Sequence, residues 1–488
     1  MKGMELRTSD EYLERLREMR LNVYIGGERV RRDDKRLLPC LRVICKTFEE
    51  AQKPKYEGLM TTPSHLSGEK INRFTHVCQT PEDLLKKQQM IRTYCRMTGG
   101  CIQRCMGCDA INALSVVTYE LDEAFGTDYH ARFLEYLREF QQEDMVAAAA
   151  QTDVKGNRVL RPHQQADPDL YVRVVERRSD GIVVRGAKNS ITIAAYADEL
   201  IVLPTRAMTE RDADWAVSFA VPADAEGVHL VTRATAPRQR KVLKAPYTEY
   251  GIGDSFVVFD DVFVPWDRVF MCGEWQLAGR LATLFALFHR HSYTACKPAL
   301  TDVFLGAAVL VSEYSGILGR EHVRRKLVDL ACVAELVYAA GIASAIFSKR
   351  ATSGTCIPNV IYTNVGRRHV GLNIYHEYDI LADLAGGLPA TLPFEDDFFN
   401  EETKGFLEKY IKRAADIPSE NVHRCFRLLS DILCSAHSGV MQLVGVHGGG
   451  SPIMEEIAVY QNYDFEDKKK VAEYLAGIRG DLPDFEVG

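Results

Sequence analysis

Apolar and polar positions change their period twice along the chain. Over 9–150 apolar residues recur at helical spacing: Tyr12, Leu13, Leu16 and Met19 follow Ser9 as a cap, with Asp10 and Glu11 in the first turn. Further helices are expected over 81–97, 107–123 and 129–145. From about Asp167 to Val269 the pattern turns alternating and β-branched, predicting strands over 171–176, 181–187, 199–204, 215–221, 228–232 and 255–265, with turns such as Ser179-Asp180-Gly181 between them. From Gly273 the helical period returns, with helices expected over 275–292, 302–318, 321–352, 359–381, 402–414 and 419–446. The expected organisation is α+β: a helical domain 1–150, a β domain 151–272 and a second helical domain 273–488. There is no internal repeat.

Length and charge narrow the classes of function. The 488 residues suffice for about three domains. A net charge of −7 without a dense basic block argues against nucleic acid as a partner. No stretch approaches the ~18 uninterrupted apolar residues of a membrane span. The charged, helical first twenty residues resemble neither a signal nor a transit peptide, so a cytoplasmic location is expected. The 13 cysteines, an odd number, speak against a disulfide framework and leave ligation as the interesting use. Cys40, Cys45, Cys78, Cys272, Cys332, Cys356, Cys425 and Cys434 are expected to be small buried hydrophobes.

Two motifs could carry chemistry. In Cys101-Ile-Gln-Arg-Cys105 the thiols, if helical, share one face; core packing accounts for such a pair equally simply. His289 and Cys296 are seven apart, about 10.5 Å along a helix, too far for one small metal ion and acceptable for a wider cluster. Pro298 is expected to distort that helix, because its ring meets the carbonyl of Thr294. No G-x-G-x-x-G follows a predicted strand, which disfavours a Rossmann-type flavin site.

Taken together these residues resemble the 4-hydroxybutyryl-CoA dehydratase/vinylacetyl-CoA Δ-isomerase family, within the 4-hydroxyphenylacetate 3-hydroxylase superfamily. The similarity extends through MTTPSHLSGEKINRF (60–74), IQRCMGCDAINA (102–113), YELDEAFGTDYH (119–130), DGIVVRGAK (180–188), PTRAMTERDADWAVSFAVPADAEG (204–227), VVFDDVFVPWDRVF (257–270), LADLAGGLPATLP (381–393) and HGGGSP (447–452). It implies an acyl-CoA-dehydrogenase-like fold with a central β-barrel-like domain, a homotetramer, FAD, and an oxygen-sensitive [4Fe-4S] cluster. By that resemblance Cys101, Cys105, Cys296 and His289 are the cluster ligands, and His289, Tyr293, Lys297, Gln103 and Asp254 the catalytic groups. Flavin contacts fall on Gln151, Thr152, Lys155, Gly156, Asn157, Arg158, Ser190, Thr192, Gly386, Gly387 and Leu388. The implied reaction is radical dehydration of a hydroxyacyl-CoA of 4-hydroxybutyryl type, with Δ-isomerase activity beside it and neither nucleic acid nor membrane as partner. Each position also has a plain structural reading: a Tyr with a polar tip, a Lys reaching solvent, a Gly-Gly helix stop.

The chain departs from that pattern. A family glutamate three residues before the HGGGSP motif is Val444 here, and valine moves no proton. A second family glutamate is Asp254, one methylene shorter. Asn189-Ser190-Ile191 also differs from the family's histidine and glutamine. His437 and His447 are candidate substitutes for the missing acid. Three alternatives therefore stand beside the dehydratase: the same chemistry on another substrate, a two-component FADH2-dependent aromatic monooxygenase, and a catalytically impaired cluster-binding paralogue.

Overall fold

The structure is a computed structural model and describes residues 6–481. Its first helix, Ser9–Glu18, is capped by Thr8 rather than by Ser9: Glu11 N donates to Thr8 Oγ1 at 3.2 Å, and Thr8 N to Glu11 Oε2 at 2.7 Å. The same device starts the helix Pro81–Thr98, through Thr80 and Asp83. Helices Cys105–Phe125 and Tyr129–Gln142 complete the N-terminal part.

The β part consists of two sheets. In the six-stranded sheet the order is Glu28–Val30, Val23–Ile25, Val228–Thr235, Ile252–Pro265, Gly181–Thr192 and Arg173–Arg177. In the four-stranded sheet it is Val269–Cys272, Val217–Pro222, Glu199–Val202 and Ala147–Ala150. Phe219 of one sheet meets Phe259 of the other edge-on, centroids 5.8 Å apart. Each sheet keeps two free edges, so the expected barrel is not closed. Strands from before residue 150 join both sheets, Val23–Ile25 and Ala147–Ala150 each pairing parallel with its neighbour. They lengthen the sheets without closing them. Gly107 lets the helix Cys105–Phe125 lie directly on the four-stranded sheet, since a Cβ there would stand 2.7 Å from the Ala147 carbonyl oxygen.

One helix, Trp275–Tyr314, runs unbroken for 40 residues where two were expected. Pro298 sits inside it; the loss of one backbone hydrogen bond is outweighed by a stretch, Leu287 to Thr301, that is buried throughout. Glu321–Ile346 and Val360–Ala385 pack along it. The expected helix 419–446 divides into Ser419–Cys434 and Ala436–His447, because Ser435 turns extended and accepts Ser438 N at 3.0 Å as a new cap. Pro452–Asn462 and Phe465–Leu475 follow, unanticipated by the sequence pattern. Among the described residues, two helices are long and apolar enough to cross a membrane by length and composition, Trp275–Tyr314 and Glu321–Ile346; the apolar window of the first is 67% buried in the fold. Cys332 and Cys434 prove exposed and Cys272 half-buried, against expectation; Cys272 and Cys434 are the last residues of their elements, where packing ends.

Candidate active site and metal centre

The cysteine motif is not helical. The helix Pro81–Thr98 stops at Gly99, whose φ of +67° is left-handed and whose missing Cβ leaves room for the Tyr247 ring, 2.6 Å from where it would lie. Residues 100–104 form a link, bent by Gln103 at φ +63°, and Cys105 is the first residue of the next helix. Cys101 thus approaches Cys105 through a loop instead of along a helix face. Gln103 holds the loop to the six-stranded sheet: its Nε2 donates to the Gly251 carbonyl at 2.9 Å, and Gly253 N donates to its Oε1 at 3.4 Å.

Opposite stands the long helix, which carries Cys296 to the same place. The Cys105 and Cys296 thiols face Cys101, and these neighbours together with the Lys297 ammonium hold Cys101 well below the ordinary thiol range. Cys105 and Cys296 are pushed up by the facing Cys101 and by burial. Cys95, fully buried and beside Cys296, is a fourth thiol at this point. The sequence reading missed it, although it precedes Cys101 by six residues.

His289, two turns before Cys296, meets the group from the other side. Ligand atoms of His289, Cys105 and Asp109 lie within 4.8 Å of one another, all three residues buried. The imidazole stacks on Phe285 (5.9 Å, 4°) and takes Tyr293 at its edge (5.8 Å). Asp109 was also missed, yet it follows Cys105 by four residues on one helix face.

One turn further along, Tyr293 is fully enclosed. Its ring lies between the Lys297 Nζ at 5.1 Å and the Arg367 guanidinium at 4.5 Å, and its hydroxyl donates to the Val444 carbonyl. The Lys297 Nζ is buried with no hydrogen-bond partner among the described residues. Burial works against its charge, but the facing Tyr293, Cys296 and Cys101 outweigh this and carry it up to about 12. Glu377, on the helix Val360–Ala385, faces the same lysine; burial pushes its carboxyl up to about 8, with Thr301 and Lys297 opposing. His437, one candidate substitute for the missing acid, is buried beside Tyr247 and depressed to about 4 by that burial, whereas His447 is exposed.

The residues tied to flavin by resemblance fall in three places. Thr192 and Asp254 are cross-strand partners, with Thr192 Oγ1 donating to Asp254 Oδ1 at 2.7 Å; burial raises the Asp254 carboxyl, and its field reaches Cys101. Ser190, at φ +57°, is exposed just before them. Gln151 and Thr152 begin the second place, the Gln151 carbonyl accepting Lys188 Nζ at 2.9 Å and the Thr152 carbonyl accepting Asn189 N at 2.8 Å. Lys155, Gly156, Asn157 and Arg158 then form an exposed turn, in which Asn157 Oδ1 accepts Val159 N at 3.2 Å. Gly386 ends the helix Val360–Ala385 and Gly387 precedes a short helix that starts at Leu388, both glycines facing open space. Among the described residues, no hydrogen bond joins the 155–158 turn or the 386–388 segment to the cysteines.

Whole-chain likeness identifies the family. The description "4-hydroxyphenylacetate 3-hydroxylase N terminal" fits residues 8–271 and its C-terminal counterpart fits 278–477. The chain belongs to the 4-hydroxyphenylacetate 3-hydroxylase family. Within that family, it is 38% identical over 97% of its length to the whole of a 4-hydroxybutyryl-CoA dehydratase/vinylacetyl-CoA Δ-isomerase of Clostridium aminobutyricum. It is 30% identical, over 95% of its length and 96% of the relative's, to a 4-hydroxyphenylacetate 3-monooxygenase oxygenase component of Thermus thermophilus. Among solved structures, an oxygen-tolerant archaeal 4-hydroxybutyryl-CoA dehydratase from N. maritimus superposes with a TM-score of 0.93 at 35% identity, over 99% of this chain and 97% of that one. A 4-hydroxyphenylacetate 3-hydroxylase family member, the oxygenase component complexed with FAD, gives 0.85 at 25% identity, over 97% of this chain and all of that one.

Proposed function

We propose that the protein is an FAD- and [4Fe-4S]-dependent dehydratase of a hydroxyacyl-CoA, of 4-hydroxybutyryl type, with vinylacetyl-CoA Δ-isomerase activity. The carrying observation is the meeting of Cys101, Cys105 and Cys296, from two segments almost 200 residues apart, with His289 at ligand reach of Cys105. Three sulfur donors and one imidazole are a donor set for an iron–sulfur cluster, and the unpartnered Lys297 ammonium offsets thiolate charge in a buried place. Thr192, Ser190, the 151–158 turn and the 386–388 segment would meet the flavin. Their fit is supported by the open face at Gly386 and Gly387 and by a relative that binds FAD. When bound, cluster and flavin supply Lewis acidity and one-electron chemistry.

The chain's own groups do the rest. The region of Tyr293 and Lys297 is cationic and dry, suited to a thioester carbonyl as charge builds on its oxygen. His289, with its Nε2 free of metal, would be a base in this region. The acyl-CoA-dehydrogenase-like order of domains (1–150, 151–272, 273–488), a homotetramer and a cytoplasmic location belong to the same reading.

Val444 favours a second version: the same chemistry on a substrate whose leaving group needs no acid at that position. The monooxygenase and the impaired paralogue are the remaining readings. Iron, acid-labile sulfide and flavin per chain, measured after anaerobic purification, separate them. About four irons, four sulfides and one flavin support the dehydratase, and flavin without iron moves the monooxygenase forward. Assays with 4-hydroxybutyryl-CoA and vinylacetyl-CoA then distinguish dehydration, isomerisation alone, and neither.

A further inference from the structure

Asp109 is fully buried and both its oxygens are engaged. Oδ1 accepts the Lys87 ammonium and Ser292 Oγ, the latter at 2.8 Å; Oδ2 meets His289 Nδ1 at 2.9 Å. Lys87 is itself 1% exposed, so the two charges form a buried pair whose geometry is set by three helices: Pro81–Thr98, Cys105–Phe125 and Trp275–Tyr314. An ionised carboxylate only accepts hydrogen bonds. With Asp109 paired to Lys87, Nδ1 is the donor of the Asp109–His289 bond and Nε2 is the nitrogen left for another partner. Phe285 and Tyr293 fix the plane of the ring.

Asp109 is near enough to Cys105 and His289 to be a metal ligand itself. Its bonds argue otherwise. Three of the roughly four acceptor positions of its carboxylate are already taken, by Lys87, Ser292 and His289, and the Lys87 ammonium beside it repels a metal cation. We propose that Asp109 is a positioning residue, braced by Lys87 and Ser292, that fixes the His289 tautomer and turns its Nε2 toward the thiols for iron. This rests on the cluster reading above. It adds to that reading an oriented ligand whose basicity is raised by a buried carboxylate.

The experiment measures iron release to a chelator, and the cluster midpoint potential, in the anaerobically purified protein and in Asp109→Asn and Ser292→Ala. Ser292→Ala keeps both buried charges and removes one brace, so it reports even if Asp109→Asn fails to fold. Asp212→Asn is the control: Asp212 is equally buried and hydrogen-bonds His163 Nδ1 at 2.6 Å, away from the cysteines. Weakened orientation is expected to cost about 10–100-fold in iron affinity in Asp109→Asn and less in Ser292→Ala. The potential should shift in both, with no change in Asp212→Asn. Parent-like release and potential in Ser292→Ala and in any folded Asp109→Asn would overturn the positioning role while leaving the cluster in place. A parent protein that holds no iron would overturn both.

Discussion

The Tyr293 hydroxyl donates to the backbone carbonyl of Val444, an oxygen that also accepts Gly448 N at 2.8 Å. Position 444 therefore borders the enclosed tyrosine, and its side chain decides whether an acid stands there. Val444 is half-buried and packs with the C-terminal core instead.

Val444→Glu restores that acid. The expected result is a rise in dehydration of 4-hydroxybutyryl-CoA by at least about 10²-fold, the low end of what a general acid or base contributes. Vinylacetyl-CoA isomerisation should change less. A dehydration rate that does not move at all would show that the group missing from the proton relay lies elsewhere.

Replacing Cys101, Cys105 or Cys296 by Ser is expected to strip most iron from the purified protein. Cys95→Ser should retain the parent's content, because Cys95 neighbours Cys296 but stands outside the proposed ligand set. Equal iron loss from Cys95→Ser would make it a fourth thiolate ligand and displace His289.

Glu377 gives a pH signature. Its carboxyl sits near 8 in the fold against about 4.5 when exposed, so the native state binds the proton more tightly than the unfolded chain does. Its contribution to stability is complete below about 4.5 and is lost as pH rises through about 8. Glu377→Gln carries no proton to lose. Its melting temperature relative to the parent should climb between pH 5 and pH 8.5, by an amount corresponding to a few kcal/mol; parallel curves would refute the raised carboxyl.

Gly99→Val tests the loop. A side chain at φ +67° is strained and would strike the Tyr247 ring, costing about 2 kcal/mol or more. Urea unfolding should show that loss, and the iron content should fall with it, because the same turn sets Cys101. Normal iron in a destabilised variant would separate the turn from the ligands.

The helix–strand–helix succession was legible from periodicity alone, because burying one face of an element fixes the spacing of its apolar residues. Boundaries were less legible where a single residue competes with its surroundings. Pro298 reads as a break, yet burial along Trp275–Tyr314 carries the helix through it. Ser435 reads as one more helical residue, yet its side chain caps a new helix.

At the site, Cys101, Cys105, His289 and Cys296 stand out by residue type, but their spacing suggested a helical pair that does not exist. The left-handed Gly99 and Gln103 bring Cys101 round, and neither dihedral is written in hydrophobic periodicity. Cys95, Lys87, Asp109, Ser292 and Glu377 were invisible for another reason: each is an ordinary residue of a buried helix, and its partner lies on a different helix. What the sequence by itself determined was which residue types were present and which faces must be buried, since those follow from local chemistry. Which thiols meet, which carboxylate orients the histidine and where the unpartnered lysine points were decided by tertiary packing, because a hydrogen bond between distant helices depends on their relative placement, which no local pattern specifies.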